Sequence, residues 1–163
     1  MLSQVGSSPV VPLAEFEAAA RHVSKHAYHT PLMTSRLLSE RTGFDVRLKA
    51  EMFQKGGSYK VRGPLNKFRH LTAEQRQRGV ICSSAGNHAQ GVAIAAGVYT
   101  MKAVVVMASN ATQSKVDATR AYGAEVVQYG SIWDEANEKA KQLCQERGLT
   151  HIHPFDDVQL STG

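Results

Sequence analysis

Cysteine is scarce in this sequence, and its scarcity excludes several kinds of protein. The 163 residues contain two cysteines, Cys82 and Cys144, too few for the disulfide framework of a small secreted domain and at a spacing that matches no zinc motif. Isolated thiols of this kind are typical of core cysteines in a reducing compartment. His151 and His153 alternate close to two aspartates, but histidines at strand spacing are more often structural than metal ligands. We therefore expect no metal site.

Long hydrophobic runs are also missing. No apolar stretch approaches the ~20 residues that span a membrane, and residues 1–13 have neither the basic start nor the apolar centre of a signal peptide. With 42% hydrophobic and 20% charged residues, the composition is that of a soluble globular protein. The sequence therefore predicts a cytoplasmic protein that makes no contact with a membrane.

Charge of one sign is not concentrated anywhere along the chain. Nineteen lysines and arginines and 14 acidic residues give a net charge of +5, but the basic residues are scattered and form no run with interleaved aromatic residues. The G-x-G-x-x-G spacing of a dinucleotide site is absent as well. These absences argue against nucleic acid and against a dinucleotide as partners.

The sequence does contain a lysine in an unusual setting, Gly56-Gly57-Ser58-Tyr59-Lys60-Val61-Arg62-Gly63. Ser58 is a favourable N-cap, so Lys60 is expected in or just before the first turn of a helix. The positive end of a helix dipole disfavours an ammonium, and a desolvated, neutral amine is the form that attacks an aldehyde. An ordinary solvated lysine after a loop is the alternative. Pro64 favours a later helix start, which would move Lys60 off the helix.

A second motif follows a short apolar strand and reads Ser83-Ser84-Ala85-Gly86-Asn87-His88-Ala89-Gln90-Gly91. Its small residues lead into an apolar helix that begins at Asn87. A strand, loop and helix in this order present unpaired backbone N–H groups at a helix N-terminus, which suits a carboxylate or a phosphate. Asn87 either caps this helix or directs its amide at a ligand. A plain cap with close packing is the simpler interpretation of the loop alone.

Strands and helices alternate along the rest of the chain. After the lysine motif the predicted strands are Val80–Cys82, Lys102–Met107, Ala124–Tyr129 and Thr150–His153, and the predicted helices are Asn87–Gly97, Thr112–Tyr122 and Ile132–Arg147. Before the lysine motif we predict helices at Leu13–Lys25 and Ser35–Arg41 and a strand at Phe44–Lys49. This alternation implies right-handed crossovers and an α/β fold with a doubly wound parallel sheet. Ligands of such sheets bind beyond the carboxyl ends of the strands, where the loop 83–87 would lie.

Together the two motifs resemble those of the serine/threonine dehydratase (threonine ammonia-lyase) family, which is pyridoxal-phosphate dependent and has the tryptophan-synthase-like fold. The resemblance extends through Thr30-Pro31-Leu32, residues 49–54 and His153-Pro154-Phe155-Asp156-Asp157, and so covers most of the chain from about residue 28. It implies pyridoxal 5'-phosphate as the cofactor, an amino acid as the substrate and a homo-oligomeric full-length enzyme.

The same resemblance implies roles for individual residues. Lys60 would carry the cofactor and act as the catalytic base. Tyr59, where phenylalanine is usual, would pack beside the cofactor, and Asn87 would contact its phenolic oxygen. The Ser84-Ala85-Gly86 turn and His88 would lie around the substrate carboxylate.

The resembled enzymes are about twice as long, and their second half supplies a glycine-rich phosphate loop and a residue that meets the pyridine nitrogen. In this sequence the only adjacent glycines are Gly56-Gly57, and the family continues past the position of Gly163. We therefore interpret the chain as the N-terminal part of a two-domain enzyme, inactive by itself. The predicted organisation is a flexible tail (1–11), part of a large domain (12–52), a small α/β domain (53–153) and a return segment to the large domain (154–163).

The expected activity of the complete enzyme is loss of water and then of ammonia from L-threonine or L-serine, which yields a 2-oxo acid. A serine racemase of the same group is the nearest alternative. Related racemases carry a serine as the second acid/base where this chain has Ala85, so we expect elimination rather than racemisation. Two alternatives from other classes are a non-catalytic nucleotide-binding α/β module and a folded half that only mediates assembly.

Overall fold

The part of the chain before the lysine motif forms two helices and a two-stranded antiparallel sheet. The structure, a computed structural model, describes residues 11–163, so the predicted tail 1–11 lies outside the described residues except for Val11. In chain order the elements are α1 (Leu13–Val23), β1 (Leu32–Thr34), α2 (Arg36–Thr42) and β2 (Arg47–Lys49). Both predicted helices of this part are therefore confirmed within one or two residues at each end.

Local side-chain chemistry sets the limits of α2 and β2. The Ser35 hydroxyl oxygen accepts a hydrogen bond from Leu38 N, and Gly43 ends α2 in the left-handed conformation with φ 75°. The strand predicted at Phe44–Lys49 is shorter than expected, because the N–H groups of Phe44 and Val46 donate to hydroxyl groups of α2 rather than to a neighbouring strand. Its partner β1 was not predicted, since three residues give too short a pattern to recognise.

From the lysine motif onward, every predicted strand and helix is present. Three consecutive 3₁₀ turns (Glu51–Phe53, Lys55–Gly57 and Tyr59–Val61) lead into α3 (Arg62–Arg69), α4 (Ala73–Arg78), β3 (Val80–Ser83), α5 (Asn87–Val98), β4 (Ala103–Met107), α6 (Gln113–Ala121), β5 (Glu125–Gln128), α7 (Trp133–Arg147), β6 (Thr150–His151) and α8 (Val158–Ser161). Helix α4 was missed because all but one of its residues are polar. A reciprocal capping box between Thr72 and Gln75 starts it.

The last four strands form one sheet in the order β5-β4-β3-β6, and all neighbouring strands are parallel. The two central strands are wholly buried, as expected for a parallel sheet with helices on both faces. The predicted α/β fold with a parallel sheet is thus confirmed. Because β3 lies at the centre, the loop that leaves its carboxyl end begins in the middle of the sheet edge where ligands of such folds bind.

Side chains of the central strands alternate between two apolar clusters. One face of the sheet carries Val80, Cys82 and Val105, which pack with α3 and α5 in the larger cluster. The other face carries Ile81, Val104 and Val106, which pack with Ala136, Ala140 and Leu143 of α7. Helix α7 therefore holds one face of β3 while α5 holds the other.

The return segment docks on α3 through close backbone contact and specific polar bonds. A Cβ on Gly63 would lie 2.6 Å from Leu160 O. The Asn66 side chain donates to Gln159 O at 2.6 Å, and Lys67 pairs with Asp157 at 2.7 Å. These contacts place α8 next to the turn that carries Lys60. Within residues 11–163, none of the helices combines the length and the apolar character needed to cross a membrane.

Candidate active site

Lys60 lies in the 3₁₀ turn Tyr59–Val61, which runs directly into α3. The Ser58 hydroxyl oxygen accepts a hydrogen bond from Lys60 N at 3.3 Å, so the predicted cap is confirmed. The later helix start expected from Pro64 is wrong, because α3 already begins at Arg62. A proline in the first turn of a helix costs no hydrogen bond, since the N–H it lacks has no partner there. Lys60 therefore sits at the amino-terminal end of a helical segment.

Because Gly91 of α5 has no side chain, the backbone of the Lys60 turn lies in direct contact with the backbone of this helix. A Cβ at this position would clash with Lys60 O and would lie 2.8 Å from the Lys60 carbonyl carbon and 3.1 Å from Val61 N. All of these neighbouring atoms belong to the backbone, so no side chain could rotate away to relieve the clash. The second motif contains Gly91, but sequence reasoning gave it no role, because nothing local shows that α5 packs on the lysine turn.

The Lys60 side chain borders a cavity of about 250 Å³ between its own turn, α5 and the return segment. His88, Phe155 and Leu160 are among the residues that line it. Lys60 Nζ lies 5.2 Å from the centroid of the Tyr59 ring, and the Tyr59 side chain is mostly exposed. An amine with an aromatic surface beside it thus faces a space large enough for part of a ligand.

Lys60 differs from the lysines around it because its ammonium group has no hydrogen-bond or ion-pair partner among the described residues and lies only beside the Tyr59 ring. Lys49 Nζ donates to Thr30 O at 2.7 Å, Lys55 Nζ donates to His26 O at 2.5 Å, and Lys67 pairs with Asp157. Across residues 11–163, Lys60 Nζ makes no hydrogen bond or ion pair. Of these four lysines, only Lys60 is therefore available for covalent chemistry without the loss of a hydrogen bond or an ion pair.

The small-residue loop joins the carboxyl end of β3 to α5. Ser84 N donates to Val106 O of the neighbouring strand at 3.1 Å, and the Ser84 hydroxyl oxygen accepts from Gly86 N at 3.2 Å. Gly86 occupies the N-cap position of α5, and no side chain caps this end of the helix. The backbone N–H groups at the start of α5 can therefore serve an anionic group, as the sequence predicts.

Asn87 is the first residue of α5 rather than its cap. Of the two roles left open by the sequence, capping is therefore wrong. The Asn87 side chain is exposed and makes no hydrogen bond in the described part of the chain. Its amide is therefore free to meet a ligand, although neither Asn87 nor the Ser84–Gly86 loop is among the residues that line the cavity, which His88 reaches from the same end of α5.

His88 lines the same cavity, and its side chain is buried. The residue is 4% exposed, Nε2 lies 3.5 Å from Ile152 O, and Nδ1 has no partner within residues 11–163. Burial lowers the pKa of His88 to about 4, and the nearby positive charge of Lys60 adds to this effect. The imidazole is therefore neutral at physiological pH, so the ring of His88 offers a carboxylate no positive charge.

An ion pair braces the lysine turn against the preceding segment. Arg62 donates from Nε and Nη2 to both oxygens of Glu51 at 2.9 and 2.7 Å. The Thr30 hydroxyl donates to the same carboxylate, and Lys49 donates to Thr30 O. These bonds, chiefly that from Arg62, lower the pKa of Glu51 to about 2. Sequence reasoning missed this pair, because Glu51 and Arg62 lie eleven residues apart with no periodic relation.

We expect Glu51→Gln to destabilise the folded protein by about 1.5–3 kcal/mol near neutral pH, since it removes hydrogen bonds to a charged group. Because the pKa of Glu51 is lower in the folded state, the ionised carboxylate contributes its full stabilisation at pH values above the ordinary pKa of 4.5. This stabilisation is lost as the pH falls towards 2. Thermal unfolding of the wild type and of Glu51→Gln between pH 7 and pH 2 measures this. The two curves should converge at the acidic end, and a constant separation at every pH would contradict the assignment.

Comparison with known proteins gives a consistent result. The family model for pyridoxal-phosphate dependent enzymes matches residues 23–163. The L-threonine ammonia-lyase of Thermotoga maritima is 43% identical over 154 residues, which is 94% of this chain and 38% of that protein. The processed form of threonine deaminase isoform 2 from Solanum lycopersicum has a TM-score of 0.86 at 40% identity, over 93% of this chain and 43% of that one. Serine racemase from Dictyostelium discoideum has a TM-score of 0.87 at 33% identity, over 94% of this chain and 50% of that one.

The chain thus spans half or less of the length of these relatives. The matched region contains the Lys60 turn, the cavity and the loop before α5, so the resemblance and the geometry refer to the same site. On both grounds, the chain belongs to the family of pyridoxal-phosphate dependent enzymes.

Proposed function

We propose that the full-length protein is a threonine ammonia-lyase that removes water and then ammonia from L-threonine or L-serine. The observation that carries this proposal is the unpartnered amine of Lys60, which faces a cavity beside the uncapped end of α5. The names of two relatives, L-threonine ammonia-lyase and threonine deaminase, support the substrate class.

The residues at the site fit pyridoxal phosphate. Lys60 offers an unpartnered primary amine that can bond to an aldehyde, the Tyr59 ring beside Nζ offers an aromatic surface, and the exposed Asn87 amide can donate to a phenolic oxygen. When bound, the cofactor supplies an electron-withdrawing ring that stabilises the negative charge left on the substrate Cα.

The chain itself would contribute binding, orientation and proton transfer. The backbone N–H groups of Ala85 and of the first turn of α5 would hold the substrate carboxylate, because those of Ser84 and Gly86 already donate to Val106 O and to the Ser84 hydroxyl. This contact would fix Cα relative to Lys60. The Lys60 amine would take the Cα proton on Nζ as general base. The Lys60 ammonium formed in this step would give the proton to the β-hydroxyl group, which would then leave as water, and addition of water to the remaining C=N bond would yield a 2-oxo acid and ammonium.

The loop favours elimination over racemisation. Inversion at Cα needs an acid/base on each face of the carbon, and Lys60 serves one face only. The methyl group of Ala85 cannot carry a proton. The hydroxyl of the adjacent Ser84 is held by Gly86 N within the loop, so it is directed at the backbone rather than across the cavity.

We therefore expect no D-serine to accumulate while the full-length wild type converts L-serine to 2-oxo acid, and we expect Ala85→Ser to increase the share of racemisation. Chiral analysis of the unreacted serine measures both. Ser84→Ala is the matched control, because it removes the neighbouring hydroxyl without adding one at position 85. D-serine formed by the wild type as fast as 2-oxo acid would overturn this prediction.

The proposed function itself is tested by incubating the full-length protein and pyridoxal phosphate with L-threonine or L-serine. We expect a 2-oxo acid and ammonium in equal amounts. A protein that binds the cofactor but releases neither product from either amino acid would refute the ammonia-lyase assignment. The cytoplasmic location, the homo-oligomeric state, the domain boundaries and the absence of a nucleic-acid partner remain predictions from the sequence.

A further inference from the structure

Trp133, the only tryptophan of the sequence, forms a bond that ties the base of the small-residue loop to α7. It is the first residue of α7, and its indole N–H donates to Ser83 O at 3.2 Å. Ser83 is the last residue of β3, so the bond reaches the residue that immediately precedes the Ser84–Gly86 loop.

The Ser83 carbonyl needs this donor because the sheet supplies none. On the edge of β3 that faces β6, Ile81 O accepts from Ile152 N at 2.8 Å. The pairing of β3 with β6 ends with Ile81 and His151. Carbonyl directions alternate along a strand, so the next carbonyl of β3 that points to this edge is that of Ser83. Strand β6 has already ended at this position, so it offers Ser83 O no N–H group. Ser83 is 1% exposed, so bulk water cannot serve as the donor.

The indole is attached to a firmly packed element. Helix α7 covers one face of the sheet through Ala136, Ala140 and Leu143, which pack against side chains of β3 and β4. Side-chain packing of this kind resists displacement, so Trp133 connects the start of the loop to a rigid support. The N–H of the same peptide group, Ser84 N, donates to Val106 O of β4, so the peptide at the start of the loop is held on both of its edges.

We infer that Trp133 is a positioning residue, which fixes the Ser84–Gly86 loop for the substrate carboxylate by donating its indole N–H to Ser83 O. The inference rests on the proposed function for the part that concerns the substrate. The bond and its effect on the loop are properties of the chain alone.

Trp133→Phe in the full-length protein is the test, because it keeps a six-membered aromatic ring and removes the indole N–H together with the ring that carries it. We expect the Michaelis constant for L-threonine to rise about fivefold with kcat changed less than twofold, as loss of one hydrogen bond that orients the loop would produce. Hydrogen exchange of the backbone amides of the loop, Ser84 to Gly86, should become faster, while exchange in the middle of β4 stays unchanged. Tyr129→Phe is the matched control. Tyr129 is a half-exposed aromatic residue just before α7, and the hydroxyl that this change removes makes no hydrogen bond within residues 11–163.

Each outcome decides a separate claim. Unchanged exchange in the loop, or exchange that rises equally in β4, would show that the bond is not a specific support of the loop and would overturn the inference. Faster exchange in the loop with an unchanged Michaelis constant would overturn the substrate part alone. A wild type that does not convert L-threonine would refute the proposed function, and the exchange measurement would still decide the role of the bond. If Trp133→Phe does not fold, hydrogen exchange of the Trp133 indole N–H in the wild type tests the bond instead. We expect exchange slower than that of free indole, and an equal rate would overturn the inference.

Discussion

Lys60→Ala is expected to reduce the proposed ammonia-lyase activity of the full-length protein by at least about 10³-fold, since the change would remove both the proposed attachment point of the cofactor and the proposed general base. The free energy of unfolding of the cofactor-free protein should change by less than about 1 kcal/mol, because Lys60 Nζ makes no hydrogen bond or ion pair within residues 11–163 and lies only beside the exposed Tyr59 ring. Turnover of L-threonine and chemical denaturation measure the two effects. Loss of activity without loss of stability is the result expected of a residue held in place for chemistry.

Lys55→Ala is the matched control, five residues away. Lys55 Nζ donates to His26 O and lies 5.0 Å from the centroid of the Tyr28 ring. Its removal should cost about 0.5–1.5 kcal/mol of stability and leave the activity within about tenfold of the wild type. A Lys60→Ala variant that keeps activity, or a Lys55→Ala variant that loses it to the same extent, would contradict the assignment of the catalytic lysine.

Gly91→Ala is expected to impair the enzyme although the change adds only one methyl group, at a residue that is not among those lining the cavity. The new Cβ would lie 2.8 Å from the Lys60 carbonyl carbon, with backbone atoms as its nearest neighbours. Either α5 or the lysine turn must therefore move. We expect a loss of about 1–3 kcal/mol of stability from overpacking and a loss of activity of about 10²-fold, since a displacement of about 1 Å at a reacting group has an effect of that size.

Gly97→Ala in the same helix is the control for the Gly91 prediction. Gly97 is exposed, and a Cβ there would meet no atom within 4 Å. Alanine should therefore stabilise the protein by about 0.5–1 kcal/mol, because it restricts the unfolded chain and favours helix, and it should leave the activity unchanged. Equal effects of the two substitutions would show that the contact between Gly91 and Lys60 is unimportant.

Elements whose signals lie within a few residues could be predicted from the sequence. The Ser58 cap, the Gly43 stop and the apolar run of β4 each specify local structure by themselves, and the alternation of strands and helices then specifies a parallel sheet. Helix α4 lacked such a signal apart from its capping box, because its outward-facing residues are polar and give no apolar periodicity.

The site could be predicted only in part, for a related reason. Lys60 and the Ser84–Gly86 loop stand in recognisable motifs, so the sequence alone indicated them. The contacts that position them join residues far apart in the chain, such as the bond between Trp133 and Ser83, whose partners are 50 residues apart. Contacts of this kind depend on how helices pack on the sheet, and no local pattern encodes them.

Borohydride reduction of the full-length protein with bound pyridoxal phosphate, followed by peptide mapping, tests the central claim most directly. Reduction makes the covalent linkage between the cofactor and its lysine permanent, so the modified peptide identifies the residue. We expect the label on the peptide that contains Lys60, since the neighbouring lysines are held by other partners. A label on Lys49, Lys55 or Lys67 instead would contradict the account of the site.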